Sequence, residues 1–366
     1  MYSAADSPCR RRFLQSLAQA GGGLALSALS RTARAEPHRA RLKLGLDNFA
    51  VRAMQWKAPE LIDYAARLEL DSLLISDLDA FESLEDAHLK GLQARAADRG
   101  LQLHVGTWSI CPSSVSFKPT HGTAEEHLRL GIRVARALGS PVVRVILGSW
   151  RDRLTPGGIG ARIADTLKVL RACRTQAIDA GVKVAVENHA GDLRAVELKG
   201  LIEQAGPDFV GANMDSGNAV WALEDPLQTL EVLGPYVATT SLRDSAVWLS
   251  NRGATVQWTA MGDGQIDWKA YFDRFAALCP NVPVHIETIS GFNHELAYLE
   301  SEFWQAYPEV PARDIAPFLA LARRGKAREA RRTPEGSDKQ AAEQAYGRDQ
   351  IERSLRYCKE LGLGLK

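Results

Sequence analysis

The sequence has no long apolar stretch, few cysteines and almost no net charge. The body of the 366-residue chain contains no apolar run long enough to cross a bilayer, which excludes a polytopic membrane protein. Its five cysteines are scattered without a Cys-x-x-Cys pair, which argues against a zinc ribbon or a dithiol redox motif. The 45 Lys and Arg residues nearly balance the 44 Asp and Glu residues, so no basic field would attract nucleic acid.

Residues 1–35 have the composition of an export signal. Three consecutive arginines at positions 10–12, followed by Phe-Leu, precede a weakly apolar run that contains a glycine triplet. Ala33 and Ala35 then provide the small-x-small pattern of a signal peptidase site. The arginines resemble the twin-arginine (Tat) signal, and the glycines disfavour the alternative of an amphipathic helix packed on the domain. The sequence therefore predicts a Tat-type signal peptide, a periplasmic protein and no membrane insertion after cleavage.

Short β-rich runs alternate with longer segments of helical periodicity along the rest of the chain. Such alternation implies parallel strands with right-handed crossovers. No Gly-x-Gly-x-x-Gly motif follows the first strand, which counts against a dinucleotide-binding fold. Eight runs in this length match a closed barrel better than an open sheet. The predicted strands are residues 42–49, 72–76, 101–107, 142–147, 182–187, 209–214, 237–242 and 282–289.

This pattern predicts an α/β protein, a (β/α)8 TIM barrel at residues 40–310 with a C-terminal helical extension at residues 311–366. Within the extension, residues 315–321 and 339–361 have helical patterns, and turn residues lie between them. Homo-oligomer formation is left open by the sequence.

Polar residues collect where the later predicted strands end, and active sites of such barrels lie at the carboxyl ends of the strands. Glu187, Asp215 and Glu287 each follow or close an apolar run. A single carboxylate there is most simply a helix cap, but three from different strands would converge and repel one another. A hard divalent cation such as Mg²⁺ or Mn²⁺ would relieve that repulsion, so the sequence predicts a metal site.

The strand-end segments Val-Glu-Asn-His, Asp-Ser-Gly-Asn, Leu-Arg-Asp and Ile-Glu, with Gly-Asp-Gly-Gln-Ile-Asp-Trp at 262–268, resemble the xylose-isomerase-like TIM-barrel superfamily of sugar isomerases and epimerases. The resemblance implies a Glu–Asp–His–Glu site for Mn²⁺, Mg²⁺ or Co²⁺ and acid–base chemistry beside a sugar carbonyl. Glu187, Asp215 and Glu287 match three of the four ligands. Ser241 stands where relatives have the histidine, so water or another side chain completes the site, or metal binding is lost.

Four further residues are candidate contacts to the substrate: Trp108, His189, Asn218 and Arg243. Trp108 and Trp150 are of the type that stacks on a sugar face, although either could equally pack within a loop. Arg243 stands where relatives place Lys or Arg near substrate oxygens, and Asn218 could bond a hydroxyl or cap a helix.

Three histidines could replace the missing ligand. They are His189, His285 and His294. His285 is predicted to face the barrel interior and is most simply a hydrogen-bonded core residue.

These observations predict an exported sugar isomerase or epimerase that acts by metal-assisted proton transfer next to a sugar carbonyl. Glu187 and Glu287 would remove and return the proton. Two alternatives stay open: a lyase that eliminates from a 3-keto-glycoside on the same scaffold, and a carbohydrate-binding barrel without catalysis. The expected partner is a small sugar or glycoside, and no nucleic acid.

Overall fold

The computed structural model describes residues 42–333 and 335–366, and the predicted signal peptide lies outside these residues. Eight parallel strands form one sheet in the order β10-β1-β2-β3-β4-β5-β6-β7, which confirms the predicted barrel. A parallel bridge between Leu242 and Ile286 brings β7 and β10 together, so the sheet is nearly closed. The barrel strands are β1 (Leu44–Asp47), β2 (Ser72–Ile75), β3 (Gln102–Ser109), β4 (Val142–Ile146), β5 (Lys183–Glu187), β6 (Val210–Met214), β7 (Val237–Thr240) and β10 (Val284–Ile286).

Helices flank the barrel between its strands and continue beyond it. In the described part of the chain they are α1 (Ala58–Arg67), α2 (Asp86–Ala97), α3 (Ala124–Leu138), α4 (Gly158–Ala180), α5 (Ala195–Ala205), α6 (Ser216–Trp221), α7 (Pro226–Leu233), α8 (Trp268–Leu278), α9 (Ala312–Arg324) and α10 (Lys339–Glu360). None of these described helices is long and apolar enough to cross a membrane.

Local sequence fixes where several helices begin and end. Thr123 and Glu126 form a capping box at the start of α3, which satisfies two backbone N–H groups that have no partner within the helix. Gly139 and Gly181 follow α3 and α4 with φ of 69° and 66°, the left-handed conformation that glycine adopts without a Cβ penalty. Both helices therefore end at a glycine.

A neutral polar cluster lies in the barrel interior, below the strand ends. Nε2 of His285 lies 2.8 Å from Oγ of Ser72, and Nδ1 of His104 lies 2.9 Å from Oγ1 of Thr239. A Cβ at Gly45 would lie 2.5 Å from Cδ2 of His285, so only glycine lets the imidazole lie against β1. The expectation that His285 is a hydrogen-bonded core residue is confirmed.

A small antiparallel sheet departs from the expected barrel pattern. It consists of β8 (Asp244–Ser250), β9 (Gly253–Thr259) and β11 (Asn293–Leu296). The buried side chains of Val247 and Val256 pack with Phe318 of α9, so this sheet has a core of its own. The Asp244 carboxylate accepts backbone N–H groups of Gly262 and Gly264 at 3.0 Å, which holds the Gly-Asp-Gly segment against the sheet.

The C-terminal extension is helical, as predicted, and α10 returns to the barrel. Tyr64 of α1 donates to Glu352 at 3.0 Å, and Lys359 donates to the carbonyl of Leu68 at 2.9 Å. Beyond α10, the backbone N–H groups of Gly364 and Leu365 bond to residues at the start of β1 and β2. These contacts fasten the end of the chain to the first two strand–helix units.

Candidate active site

Three carboxylates meet at the carboxyl ends of the barrel strands. Glu187 is the last residue of β5, Asp215 caps the amino end of α6 directly after β6, and Glu287 follows β10. One oxygen of each carboxylate lies within 4.8 Å of the others, and all three residues are buried. The barrel thus brings together the three residues that the sequence singled out as metal ligands.

Arg243 lies between two of these carboxylates. Its Nη2 donates to Oδ2 of Asp215 and to Oε2 of Glu287. The guanidinium packs on the Trp258 ring, 4.3 Å from its centroid, and Trp258 in turn donates to the carbonyl of Gly217 at 2.9 Å. A Cβ at Gly217 would lie 2.5 Å from Cδ of Arg243, so the glycine makes room for this arginine.

Glu187 is enclosed by hydrogen-bond donors. Its Oε2 accepts from Nε of Arg144 and from Nδ2 of Asn213, the latter at 2.8 Å. Its Oε1 accepts from Nδ2 of Asn218 at 3.1 Å. Arg144 also donates to the carbonyl of Thr107 at 3.1 Å, which fixes the guanidinium inside the barrel. Charge-assisted bonds of this kind hold a buried carboxylate in its ionised form.

Among the described contacts, the Ser241 hydroxyl bonds to none of Glu187, Asp215 and Glu287. Its hydroxyl donates to Oδ2 of Asp47 at 2.8 Å and accepts from Asn213 at 3.1 Å. The second oxygen of Asp47 accepts from Ser76 at 2.9 Å. Asp47, at the end of β1, therefore adds a fourth buried carboxylate to this end of the barrel.

Among the described residues no histidine takes the place of the missing ligand. Nδ1 of His189 lies 2.6 Å from the carbonyl oxygen of Gly148, an acceptor, so Nδ1 carries the proton and Nε2 is left as an acceptor. His285 lies in the deeper neutral cluster, and His294 stacks on Trp221 in the antiparallel sheet. None of these three histidines belongs to the carboxylate cluster in the described structure, and how the metal site is completed stays a prediction.

The carboxyls of the cluster differ in their affinity for protons. Burial raises the pKa of Glu287 well above its ordinary value and that of Asp215 to about 7, although the charge of Arg243 opposes both shifts. Burial also acts to raise the pKa of Glu187, but the charge of Arg144, the bond that Arg144 donates and the charge of Arg243 more than offset it, so the pKa of Glu187 is lowered. Within the cluster, proton binding is therefore weakened at Glu187 and strengthened at Asp215 and Glu287.

A cavity of about 160 Å³ opens onto this cluster. Five of the predicted site residues line it: Glu287 and the four expected substrate contacts, which are Trp108, His189, Asn218 and Arg243. The Trp108 and His189 rings meet edge to face at 5.5 Å. Glu187 and Asp215 lie behind this surface. The amide oxygen of Asn218 is buried without a hydrogen-bond partner, so it can accept from a bound hydroxyl.

Several residues of this site were not among those predicted from the sequence. Asp47 shows the same sequence pattern as the other carboxylates, because it is a polar residue at the end of an apolar run. It differs in that it lies on the first strand. Arg144 and Asn213 lie inside strands β4 and β6, where a charged or amide side chain among apolar neighbours was the signal. Trp258 comes from the antiparallel sheet, which the sequence did not predict.

The chain belongs to the family described as the Xylose isomerase-like TIM barrel, whose model matches residues 62–307. A similar curated protein is the 3-oxo-isoapionate decarboxylase of Pectobacterium atrosepticum, 25% identical over 244 residues, which are 63% of this chain and 79% of the relative.

Two solved structures show the same fold at low identity. One is a D-psicose 3-epimerase determined in the presence of D-fructose, 14% identical with a TM-score of 0.58, covering 87% of this chain and 99% of its own. The other is the IOLI protein with a bound zinc atom, 14% identical with a TM-score of 0.54, covering 76% of this chain and 97% of its own.

The donor set at the strand ends fits a divalent cation. Three carboxylates present oxygens within 4.8 Å of one another, and hard cations prefer such ligands. The amide oxygens of Asn213 and Asn218 are buried beside them and have no hydrogen-bond partner in the part of the chain that the structure describes. Arg243 occupies hydrogen-bonding positions on Asp215 and Glu287, so a cation would share these two carboxylates with a guanidinium.

Proposed function

We propose that this protein is a sugar isomerase or epimerase that moves a proton on a carbon beside a sugar carbonyl. The supporting observation is the convergence of Glu187, Asp215, Glu287 and Arg243 on a buried cavity at the carboxyl end of the barrel. Proton transfer next to a carbonyl needs an acid–base group and positive charge beside the oxygen that becomes negative. This cavity contains both.

Glu287 is the carboxyl placed to exchange a proton with a bound sugar, because it lines the cavity. Arg243, held against the Trp258 face, supplies positive charge for the enediolate oxygens. Asn218 and His189 have acceptor atoms for sugar hydroxyls, and Trp108 provides an apolar wall. Glu187 lies behind the cavity surface, and its role as the second proton carrier stays a prediction.

Glu187, Asp215 and Glu287 are the residues that would hold a divalent cation, with Mn²⁺, Mg²⁺ or Co²⁺ as the ions that the family resemblance favours. When bound, such a cation polarises the carbonyl and hydroxyl oxygens of a substrate. Ser241 contributes indirectly, since its hydroxyl bonds to Asp47 and Asn213. Metal analysis of the protein purified without chelator, compared with Asp215→Asn, tests this part of the proposal.

Turnover in D₂O tests the proton transfer. An active ketose or aldose should gain deuterium at the reacting carbon, and Glu287→Gln should lower the rate by about 10²–10⁴-fold because the acid–base group is lost. Glu335→Gln, an exposed carboxylate on the C-terminal extension, is the matched control and should not change the rate. A product without deuterium would contradict an exchanging proton transfer.

The second candidate is a lyase, and the observation that favours it is the similarity to a 3-oxo-isoapionate decarboxylase. Decarboxylation of a 3-oxo acid or elimination from a 3-keto-glycoside also passes through an enolate beside a carbonyl. The same Arg243 and Glu287 would serve that intermediate. Mass spectrometry of the product distinguishes the two functions, because an isomerase or epimerase keeps the substrate mass and a lyase releases carbon dioxide or an aglycone.

We also propose that the protein is exported through the Tat pathway, on the basis of the arginines at 10–12 and the Ala33-x-Ala35 pattern. Replacing Arg11 and Arg12 by lysines should leave the protein in the cytoplasm, as fractionation would show. Amino-terminal sequencing of periplasmic protein that still begins before Glu36 would contradict cleavage.

A further inference from the structure

A second cavity adjoins the candidate active site. It has a volume of about 360 Å³ and shares Ala190 and Trp221 with the first cavity. We call it the outer pocket. Most of its wall is apolar or aromatic, with Trp150, Phe303 and Tyr307 among the lining residues. Its position beside the first cavity makes it reachable by a ligand that extends past Trp221.

Trp221 is a rigid wall between the two cavities. Its ring stacks on Trp258 at 4.3 Å on one side and on His294 at 4.0 Å on the other. The guanidinium of Arg243 packs on the Trp258 ring. One column of stacked groups therefore runs from the carboxylate cluster to the outer pocket. The indole N–H of Trp221 has no partner among the described residues and can donate to a ligand.

The outer pocket leaves large apolar side chains exposed. Trp150 is 39% exposed and Leu154 is 51% exposed, and both line it. The backbone N–H of Trp150 bonds to the carbonyl of Ala190 at 2.9 Å, which fixes the tryptophan beside the junction of the cavities. Exposed apolar surface concentrated in a concave site is typical of ligand-binding pockets.

The charges at the rim favour a neutral ligand. Arg252 lines the outer pocket, but it is paired with Glu295 at 2.7 Å and with Glu300 at 2.6 Å. The exposed carboxylate of Glu302 adds negative charge to the same wall. Among the described lining residues, a phosphate or carboxylate group would therefore meet negative charge and an arginine that is already paired.

The two volumes indicate how a substrate is divided between the cavities. The inner cavity, about 160 Å³, is smaller than the roughly 300–1,000 Å³ of ordinary ligand pockets, whereas the outer pocket lies inside that range. The inner cavity suits one sugar ring or part of it. A larger apolar group would fit on the outer side of Trp221.

We propose that the outer pocket binds a flat, neutral, apolar aglycone, so that the substrate is a keto-glycoside whose sugar enters the inner cavity. A keto-glycoside keeps a sugar carbonyl although its anomeric carbon is blocked. This inference rests on the proposed function only for the statement that the inner cavity is where the sugar reacts. The aromatic wall would bury the aglycone, and the Trp221 N–H would bond an oxygen near the glycosidic link.

Binding without turnover tests this proposal separately from the chemistry. The probes are phenyl β-D-glucopyranoside, methyl β-D-glucopyranoside and phenol, measured by calorimetry and by saturation-transfer NMR. Phenyl glucoside should bind on the order of tenfold more tightly than methyl glucoside, because only the phenyl ring buries apolar surface in the outer pocket. Its ring protons should receive the strongest saturation, and phenol alone should bind competitively with it.

Variants of the wall supply the control. Trp150→Ala and Phe303→Ala should each reduce the preference for the phenyl glucoside toward one and leave the affinity for methyl glucoside unchanged. Ile178→Ala removes a side chain of similar exposure, 47%, on helix α4 away from both cavities, and should change neither affinity.

Three results would overturn the proposal: equal affinity for the two glucosides, equal loss of both affinities in the wall variants, or no phenol binding. Circular dichroism shows that each variant is folded, and two independent wall variants prevent one misfolded protein from deciding the result. Since no turnover is needed, a failed D₂O exchange would contradict the proposed function and leave these binding results standing.

Discussion

Two polar clusters lie inside the same barrel, and they differ in charge. The cluster at the strand ends pairs carboxylates such as Glu187 and Glu287 with Arg144 and Arg243. The deeper cluster contains His104, His285 and hydroxyl groups, and burial lowers the pKa of both histidines, that of His104 to about 3. The imidazoles are therefore neutral at physiological pH, and no carboxylate faces them within hydrogen-bonding distance in the described structure.

The difference indicates which cluster is built for chemistry. Neutral groups that satisfy one another's hydrogen bonds contribute to folding and hold the barrel interior in one arrangement. A buried charge that faces a cavity costs folding free energy unless it keeps its partner. Such charges are found where a ligand or a reacting atom needs them. Substitutions in either cluster should therefore lower stability, but only those in the charged cluster should also lower the activity of the folded protein.

The largest effect should follow the loss of Arg243. Arg243→Met leaves Asp215 and Glu287 buried without their shared cation, which should cost about 3–5 kcal/mol of unfolding free energy and abolish activity. Arg274→Met, which breaks an exposed pair with Glu231, is the matched control and should change neither quantity measurably. Denaturant unfolding with and without Mn²⁺ is the measurement, and added metal should restore part of the stability of Arg243→Met.

A gentler disturbance of the same cluster is Gly217→Ala. The added methyl would lie 2.5 Å from Cδ of Arg243 and must push the guanidinium off Trp258. We expect a loss of about 1–3 kcal/mol of stability and a drop in kcat on the order of 10–100-fold. Gly200→Ala on helix α5, where the nearest atom lies 3.9 Å away, is the control. Full activity in Gly217→Ala would show that the position of Arg243 is unimportant.

A substitution in the neutral cluster should lower stability without lowering activity. His285→Leu leaves the hydroxyls of Ser72 and Thr239 without the imidazole, which should cost about 1–3 kcal/mol of unfolding free energy. The rate per folded molecule should remain that of the wild type, because the imidazole does not line the cavity. Thermal unfolding and kcat measured on the same preparation test both parts. A selective loss of kcat would place His285 in the catalytic machinery and remove the distinction between the clusters.

The last effect is absent at neutral pH and develops only as the pH is lowered. The pKa of His104 is lowered to about 3 by burial, with a smaller contribution from Lys43, whereas a histidine in the unfolded chain titrates near 6.5. The unfolded chain therefore binds more protons between these values. The stability that neutral His104 contributes is fully present above about pH 6.5 and is lost toward pH 3, by about 1.4 kcal/mol per pH unit.

Unfolding of the wild type and of His104→Gln should consequently be compared at pH 7 and pH 5. The wild type should lose stability relative to the variant at the lower pH, because glutamine does not titrate. Parallel pH profiles for the two proteins would show that His104 is protonated in the folded state and would make the deeper cluster a charged one.

The strand ends could be predicted from sequence because a parallel barrel places all of its carboxyl strand ends on one face. A polar residue that closes an apolar run, such as Glu187 or Glu287, then belongs to the site wherever it lies in the chain. The same rule could have identified Asp47. It could not show that Glu187 lies behind the cavity surface while Glu287 lines it, since that depends on which side chains pack between them.

Sequence by itself determined the succession of strands and helices, the barrel and the three converging carboxylates, because these follow from local periodicity and from the direction of parallel strands. Tertiary structure alone decided that Arg243 lies between Asp215 and Glu287, and that the antiparallel sheet brings Trp258 and His294 to either side of Trp221. These contacts join residues far apart in the chain. Their geometry is set by packing and charge pairing in three dimensions, which no local pattern encodes.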